Sequence, residues 1–179
     1  KALSNQAPRH RPQGGICLTN DAFEILARAY GDAVFRVDFH ALGSRMDAED
    51  VSQTALLKLY QTDKPFASDD HAKHWLLRVT VNECRKLLRA PWRKRVLPLE
   101  DYDAPTPASE DHSDVLAAVM AQKPKYRLCV YLYYYEDWSV REVARALEAR
   151  ESTVQTWLAR AREKLKQTLS GEQEAKDYV

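Results

Sequence analysis

The sequence predicts an all-α protein of two small helical domains joined by a flexible acidic linker, the second a helix-turn-helix domain. Three observations carry this. Apolar residues recur at spacings of three and four along most of the chain, the mark of one-sided helices. Glycine and proline are scarce, five and eight in 179 residues, and no run of β-branched residues repeats. A stretch from Val96 to His112, with Pro98, Pro105, Pro107 and a block of acids, parts the periodic segments into two groups. A composition 45% hydrophobic and 30% charged suits one or two compact domains.

Residues 1–18 are polar and aperiodic. They are expected to be a disordered arm, or a remnant of how the chain was produced, and carry no signal-peptide pattern. From Asn20 to Leu42, Phe23, Leu26, Ala27, Tyr30, Val34, Val37 and Ala41 line one helical face. Gly31 within it costs about 1 kcal/mol relative to Ala and is a candidate bend. Asp47 to Gln61 forms a second helix. Asp47, Glu49 and Asp50 stand in its first turn, where the macrodipole favours carboxylates, and Val51, Ala55, Leu56 and Leu59 make its apolar stripe. After a loop over Thr62–Asp70, a third helix is expected from about His71 to Arg89. Leu77, Val81, Cys84 and Leu88 face one way; Arg78, Asn82, Arg85 and Arg89 share the opposite face.

The second domain is expected over 113–170. Val115, Leu116, Val119 and Met120 mark a short helix, and Pro124 suits the first turn of the next, which carries Leu128, Tyr131, Leu132 and Tyr135 on one side. Ser139-Val140-Arg141-Glu142 reads as a capping box, with Val140, Val143, Ala144 and Leu147 on one face. After a break at Glu148–Glu151, Ser152 is the expected cap of a last helix, with Val154, Trp157, Leu158, Ala161 and Leu165 as its buried stripe. Residues 171–179 are expected to be a polar tail.

Charge is unevenly placed, although the net value is only +1. Lys73, Arg78, Arg85, Lys86, Arg89, Arg93, Lys94 and Arg95 face a single acid, Glu83, between 73 and 95. Glu100, Asp101, Asp103, Glu110, Asp111 and Asp114 meet no Lys or Arg between 96 and 114. Such blocks point to surfaces with different partners.

Several function classes find no residues. No apolar stretch approaches the roughly 20 residues that span a bilayer, so no membrane insertion is expected. Cys17, Cys84 and Cys129 are odd in number and far apart, too few for a disulfide scaffold or a zinc site. Cys84 and Cys129 read as core residues, and a reducing, cytoplasmic setting is expected. His71 and His74, beside Asp69 and Asp70, lack a third strong ligand at suitable spacing. No nucleophile–base pair, phosphate-binding glycine loop or pair of catalytic carboxylates appears, so neither an enzyme nor a cofactor is expected.

Nucleic-acid chemistry finds more support. Two short helices with a brief break, small Ala144 in the first and Val154 in the second, describe a helix-turn-helix. Its second helix would present Gln155, Thr156 and Ala159 to base edges, with Arg160, Arg162 and Lys164 beside the phosphates. A helical hairpin with a merely solvated charged face is the plain alternative. Glu148 replaces the usual turn glycine; a left-handed backbone there costs on the order of 1 kcal/mol. The basic third helix, with Trp75 one turn before Arg78, suits single-stranded nucleic acid, where cations track the backbone and rings stack on bases. A solvated basic face with a core Trp75 is the alternative there. Asn82 is a poor interior helix residue but a good base-edge reader.

Taken in succession, these segments resemble bacterial RNA polymerase sigma factors of the extracytoplasmic-function group. Asp47-Ala48-Glu49-Asp50-Val51-Ser52-Gln53 and Leu56-Leu57-Lys58-Leu59-Tyr60 resemble the core-binding segment. Trp75-Leu76-Leu77-Arg78-Val79-Thr80-Val81-Asn82 and Leu87-Leu88-Arg89 resemble the segment that melts the promoter and reads its minus-ten element. Tyr126-Arg127, Tyr133-Tyr134-Tyr135-Glu136 and Ser139-Val140-Arg141-Glu142-Val143-Ala144, then Thr153-Val154 and Leu158-Ala159-Arg160-Ala161-Arg162-Glu163-Lys164-Leu165, resemble the minus-thirty-five-reading domain. The order and spacing agree over about 21–169.

The resemblance implies roles. Residues 19–95 would be the region 2 domain, 96–112 the linker and 113–170 the region 4 domain. Asp47, Glu49, Asp50, Gln53 and Leu57 would meet a basic coiled coil of core RNA polymerase. Lys73, Trp75, Arg78, Asn82, Arg85, Lys86 and Arg89 would hold the single-stranded minus-ten element, and the loop Lys64–Asp70 would receive a flipped base. Arg141, Gln155, Thr156, Ala159, Arg160, Arg162 and Lys164 would bind the duplex minus-thirty-five element. The acidic linker would thread toward the polymerase channels, and an anti-sigma factor is an implied partner. The sequence departs from the family at Glu148, and at Gln155 and Trp157, where basic residues are frequent; this leaves the promoter sequence open. Two other readings remain: a helix-turn-helix regulator that binds duplex DNA without polymerase, and a helical adaptor whose basic face takes RNA or an acidic protein.

Overall fold

The computed structural model describes residues 19–90 and 113–176, with side chains over 19–90 and 114–170. The arm 1–18 and the linker 96–112 lie outside the described residues. Seven helices and no strand are found among those described.

Helix α1 spans Asn20–Leu42. The Thr19 hydroxyl accepts from Ala22 N at 3.2 Å, and Gly31 is accommodated with open space where a side chain would stand. The helix closes on Gly43, left-handed at φ 71°, whose N–H bonds the Phe39 carbonyl. A side chain at Gly43 would be strained by that φ and would press on the Arg127 guanidinium, 3.2 Å from the position of its Cβ. Helix α2, Arg45–Gln61, starts two residues before the expected Asp47, because the Ser44 hydroxyl accepts from Asp47 N. Helix α3, Asp69–Arg89, likewise starts ahead of the expected His71: Ser68 caps it by accepting from His71 N at 3.2 Å. Asp69 and Asp70 therefore lie in its first turn.

Helices α1, α2 and α3 pack around Leu26, Val34, Val37, Ala55, Leu59, Leu76, Leu77, Val81 and Cys84. Within this core Asp38 is fully buried. The Ser52 hydroxyl donates to its Oδ2 at 2.7 Å and the Cys84 thiol to its Oδ1 at 2.8 Å. Cys84 is thus a core residue, as expected, and also a hydrogen-bond donor to a buried carboxyl.

The second domain holds α4, Ser113–Met120; α5, Pro124–Tyr134; α6, Val140–Leu147; and α7, Glu151–Lys176. Pro124 opens α5 at a position that needs no N–H. Tyr135 falls just past that helix and is exposed, its ring stacked on Tyr131 at 5.3 Å. The capping box on α6 is complete: Glu142 N donates to Ser139 Oγ at 3.2 Å, and Ser139 N donates to Glu142 Oε2 at 2.8 Å. The α7 boundaries correct the expected ones. Thr153 N and Val154 N both donate to the Arg150 carbonyl, so Arg150 rather than Ser152 takes the capping position. The helix continues past Ser170 to Lys176. Ala144 of α6 and Val154, Leu158 and Ala161 of α7 are buried, while Trp157 is half-buried.

The two domains dock. Phe39 and Ala48 of the first form an apolar cluster with Met120 of the second, flanked by Phe35 and Leu116. The His40 ring stacks on Tyr131 at 4.6 Å. Burial, then the positive charges of Arg127 and Arg36, push the His40 imidazole down to about 4. Arg127 is buried and donates from Nε to the His40 carbonyl at 2.8 Å and from Nη1 to the Met120 carbonyl at 2.9 Å.

Candidate nucleic-acid interface

Three surfaces gather the candidate residues. The first is the outer face of α2. Met46, Asp50, Gln53, Leu57 and Tyr60 are spaced by four, three, four and three, so they form one straight stripe. All are exposed, Met46 at 73%, Leu57 at 53% and Tyr60 at 49%. Asp47 is half-buried in the first turn, and Glu49 pairs with Arg45 at 2.9 Å. The structure therefore unites Asp50, Gln53 and Leu57 on one face and adds Met46 and Tyr60, which residue-type reading missed. Their heptad-like spacing was the available signal.

The second surface is a groove of about 600 Å³ along α3. Trp75, Asn82, Arg85, Lys86 and Arg89 line it, together with Lys58 and Gln61 of α2. Trp75 is half-buried, its ring 5.5 Å from Phe66, so the loop before α3 braces it. Arg78, Asn82, Lys86 and Arg89 are exposed. Glu83, the acid that α3 itself contributes, sits between Lys58 and Lys86, whose ammonium groups lie 2.5 Å and 2.8 Å from Oε1; Glu148 of the second domain also lines the groove. Burial opposes the ionisation of Glu83, but hydrogen bonds from both lysines hold it below the usual carboxylate range.

Three of the expected strand-binding residues are engaged by the second domain. Arg85 Nη1 donates to the Ala146 carbonyl at 3.1 Å, and its Nη2 to Glu148 Oε2 at 2.6 Å. Arg89 reaches the same oxygen at 3.4 Å. Lys73 Nζ lies 3.0 Å from Glu136 Oε2. Beside it His74 stacks on the buried Trp138 at 5.6 Å. Glu148 adopts φ 50° and ψ 46°, the left-handed conformation that glycine would take without strain. Hydrogen bonds from Arg85, then its charge, hold the Glu148 carboxyl below the usual range. Glu136, Trp138 and Glu148 were not legible as contacts to α3. The one hint was an acid in a turn that favours glycine.

The third surface is the α6–α7 pair. Gln155, Thr156, Ala159, Arg160, Arg162 and Lys164 are all exposed on α7, as is Arg141 on α6. Gln155 and Ala159 lie one turn apart on the outer face. The Thr156 hydroxyl is bonded to the Ser152 carbonyl at 2.8 Å. Arg160 and Lys164 flank this face beside Tyr126. Lys164 Nζ is 6.0 Å from that ring's centroid, and a hydrogen bond from Arg160 lowers the Tyr126 hydroxyl below its ordinary value.

Residues 26–94 match the family described as Sigma-70 region 2, and residues 114–165 match Sigma-70, region 4. The RNA polymerase sigma-E factor of Streptomyces antibioticus is 31% identical over 153 residues, 82% of this chain and 84% of that protein. The chain belongs to the extracytoplasmic-function sigma factors. The ECF RNA polymerase sigma factor SigE of Mycolicibacterium smegmatis is 28% identical over 160 residues, 83% of this chain; the chain spans 62% of that longer relative. In fold the sigma factor resembles RpoE of Bartonella quintana, solved in complex with the anti-sigma factor NepR. The TM-score is 0.69 at 21% identity, covering 85% of this chain and 98% of that one. Sigma factors are DNA-binding factors of transcription initiation, and this chain is one of them. No described helix is long and apolar enough to cross a membrane.

Proposed function

We propose that this sigma factor binds core RNA polymerase through α2, directs it to promoters in the cytoplasm, and favours strand opening through α3. The carrying observation is the division of charge between adjacent helices: the acidic-apolar stripe Met46-Asp50-Gln53-Leu57-Tyr60 beside the basic groove of α3. A straight, heptad-spaced stripe with a central carboxylate fits a basic coiled coil, whose own seam repeats at the same period.

On α3, Arg78, Arg85, Lys86 and Arg89 follow the phosphates of the minus-ten strand, Asn82 reads a base edge, and Trp75 offers a stacking face. Lys73 extends the cationic track toward the helix start. Each trapped base is worth roughly 1–3 kcal/mol, which opposes re-pairing of the duplex. On α7, Gln155 and Ala159 read the minus-thirty-five element, adenine by amide and thymine by methyl contact, with Thr156 at the edge of that face. Arg141, Arg160, Arg162 and Lys164 hold phosphates on either side. Bound to polymerase, both weak contacts are presented at a set separation and reinforce each other through effective concentration. An anti-sigma factor is the expected inhibitory partner, by analogy with the NepR complex of the Bartonella relative.

The test is reconstitution with core polymerase and a pool of promoter fragments, followed by start-site mapping. Discrete start sites sharing two upstream elements are expected. Failure of the purified chain to associate with core polymerase at moderate salt would overturn the proposal.

A further inference from the structure

We propose that α5 supplies a phosphate ligand to the upstream promoter duplex: Lys125, held against the rings of Trp157 and Tyr126, grips the DNA backbone beside the base-facing side of α7. This deepens the reading of α7 as the minus-thirty-five helix and rests on it. The Lys125 ammonium lies 5.3 Å from the centroid of the Trp157 ring and 5.2 Å from that of Tyr126. Lys164 Nζ stands 6.0 Å from the Tyr126 ring, and Arg160 is hydrogen-bonded to its hydroxyl. One ring from α5 and one from α7 thus gather three exposed cations, which the negative ring faces attract. Trp157 directly follows Thr156, so the ring that holds Lys125 sits at the margin of the face formed by Gln155 and Ala159.

Nothing in the chain answers this charge. Among the described residues, Lys125, Arg160 and Lys164 form no ion pair with a carboxylate. Lys58, Lys86, Arg85 and Arg89 of the first domain, by contrast, all end on one. The first turn of α5 carries no acid; Lys123 and Lys125 stand there against the positive end of the macrodipole. That placement costs stability in the free chain and is relieved by an anion. An ammonium resting on a ring still has donors to turn outward, and a phosphate oxygen takes them as charge-assisted hydrogen bonds. A duplex lying on Gln155 and Ala159 brings such oxygens to this margin.

The experiment binds the full chain, assembled with core polymerase, to a fluorescein-labelled duplex promoter fragment recovered by the start-site mapping. Anisotropy is followed at several salt concentrations. Lys125→Ala is expected to weaken binding about eightfold at about 0.1 M salt and about threefold at about 0.3 M, with a salt slope shallower by about 0.9, the counterion release of one duplex phosphate contact. The loss should be alike on promoters that differ in their upstream element. Lys125→Arg keeps the charge and the ring contact and should restore both values. Lys166→Ala, exposed on α7 outside the cluster, controls for net charge and should stay near wild type.

Equal affinity and slope for Lys125→Ala and Lys166→Ala would overturn the site. If Arg141→Ala still flattened the slope, the reading of the α6–α7 pair would survive that result. If it did not, that reading would fail, and the site with it. Weaker association of Lys125→Ala with core polymerase in the absence of DNA, at an unchanged promoter slope, would assign the cluster to an acidic protein face and equally overturn the proposal.

Discussion

The Arg127 guanidinium leaves the second domain and closes on the His40 carbonyl at 2.8 Å, at the C-terminal end of α1. Carbonyls at a helix end lack intrahelical partners, and a cation there also complements the macrodipole. The same side chain bonds Met120 in its own domain, so one residue ties α1 to the turn after α4. Gly43 leaves the room it needs.

Arg127→Ala is therefore expected to destabilise the chain by about 2–4 kcal/mol, because buried carbonyls lose a charged donor. Arg127→Lys should recover only part of this, since an ammonium cannot reproduce the planar fork. Urea unfolding of the three proteins measures both effects. A loss within 0.5 kcal/mol for the alanine variant, the range of an ordinary surface change, would show that solvent satisfies those carbonyls.

Asp38 sets a pH dependence. Burial pushes its carboxyl up to about 7, against hydrogen bonds from Cys84 and Ser52 that lower it; the ordinary value is 3.8. Between these values the unfolded chain has released a proton that the folded chain keeps, so rising pH favours unfolding. This contribution is complete below the ordinary value and is lost as pH rises through about 7. The Tm of wild type relative to Asp38→Asn should fall steadily across that window in thermal melts. A constant difference would mean that Asp38 is already ionised when folded.

Asp50→Arg is expected to weaken binding to core polymerase at least about tenfold, or 1.4 kcal/mol. It places a cation in the middle of the α2 stripe, facing a basic partner. Asp50 is exposed, so the circular dichroism spectrum and melting temperature should stay near wild type. Undiminished co-elution with core enzyme would remove α2 from the interface.

On the helix-turn-helix, Gln155→Ala and Arg141→Ala should separate specificity from affinity. The first is expected to cost about 1–3 kcal/mol of discrimination at one base pair of the upstream element. The second should weaken all promoters alike and reduce the salt slope by about 0.9. Transcription from a promoter library at two salt concentrations reads both. Uniform weakening by Gln155→Ala would assign it to the backbone instead.

The Ser139–Glu142 capping box offers a local check. Ser139→Ala removes the hydroxyl that accepts from Glu142 N and should cost about 1 kcal/mol in unfolding free energy. An unchanged unfolding midpoint would mean that α6 is held by packing on α7 alone.

By itself the sequence determined what depends on near neighbours. Helix period, the Ser139 box, Pro124 at a first turn and the buried faces around Leu77 and Val154 follow from residues three and four apart, whose side chains meet within one helix. The exposed faces of α2, α3 and α7 were legible for the same reason. The tertiary structure decided what joins distant segments: Arg127 on the end of α1, Glu148 on Arg85 and Arg89, and the buried Asp38 held by Ser52 and Cys84. These contacts cross 14 to 87 positions of chain. No local period reports such pairings, because they depend on how one packed domain settles against another. A single arginine among apolar neighbours and a glutamate in a glycine turn were the traces they left in the sequence.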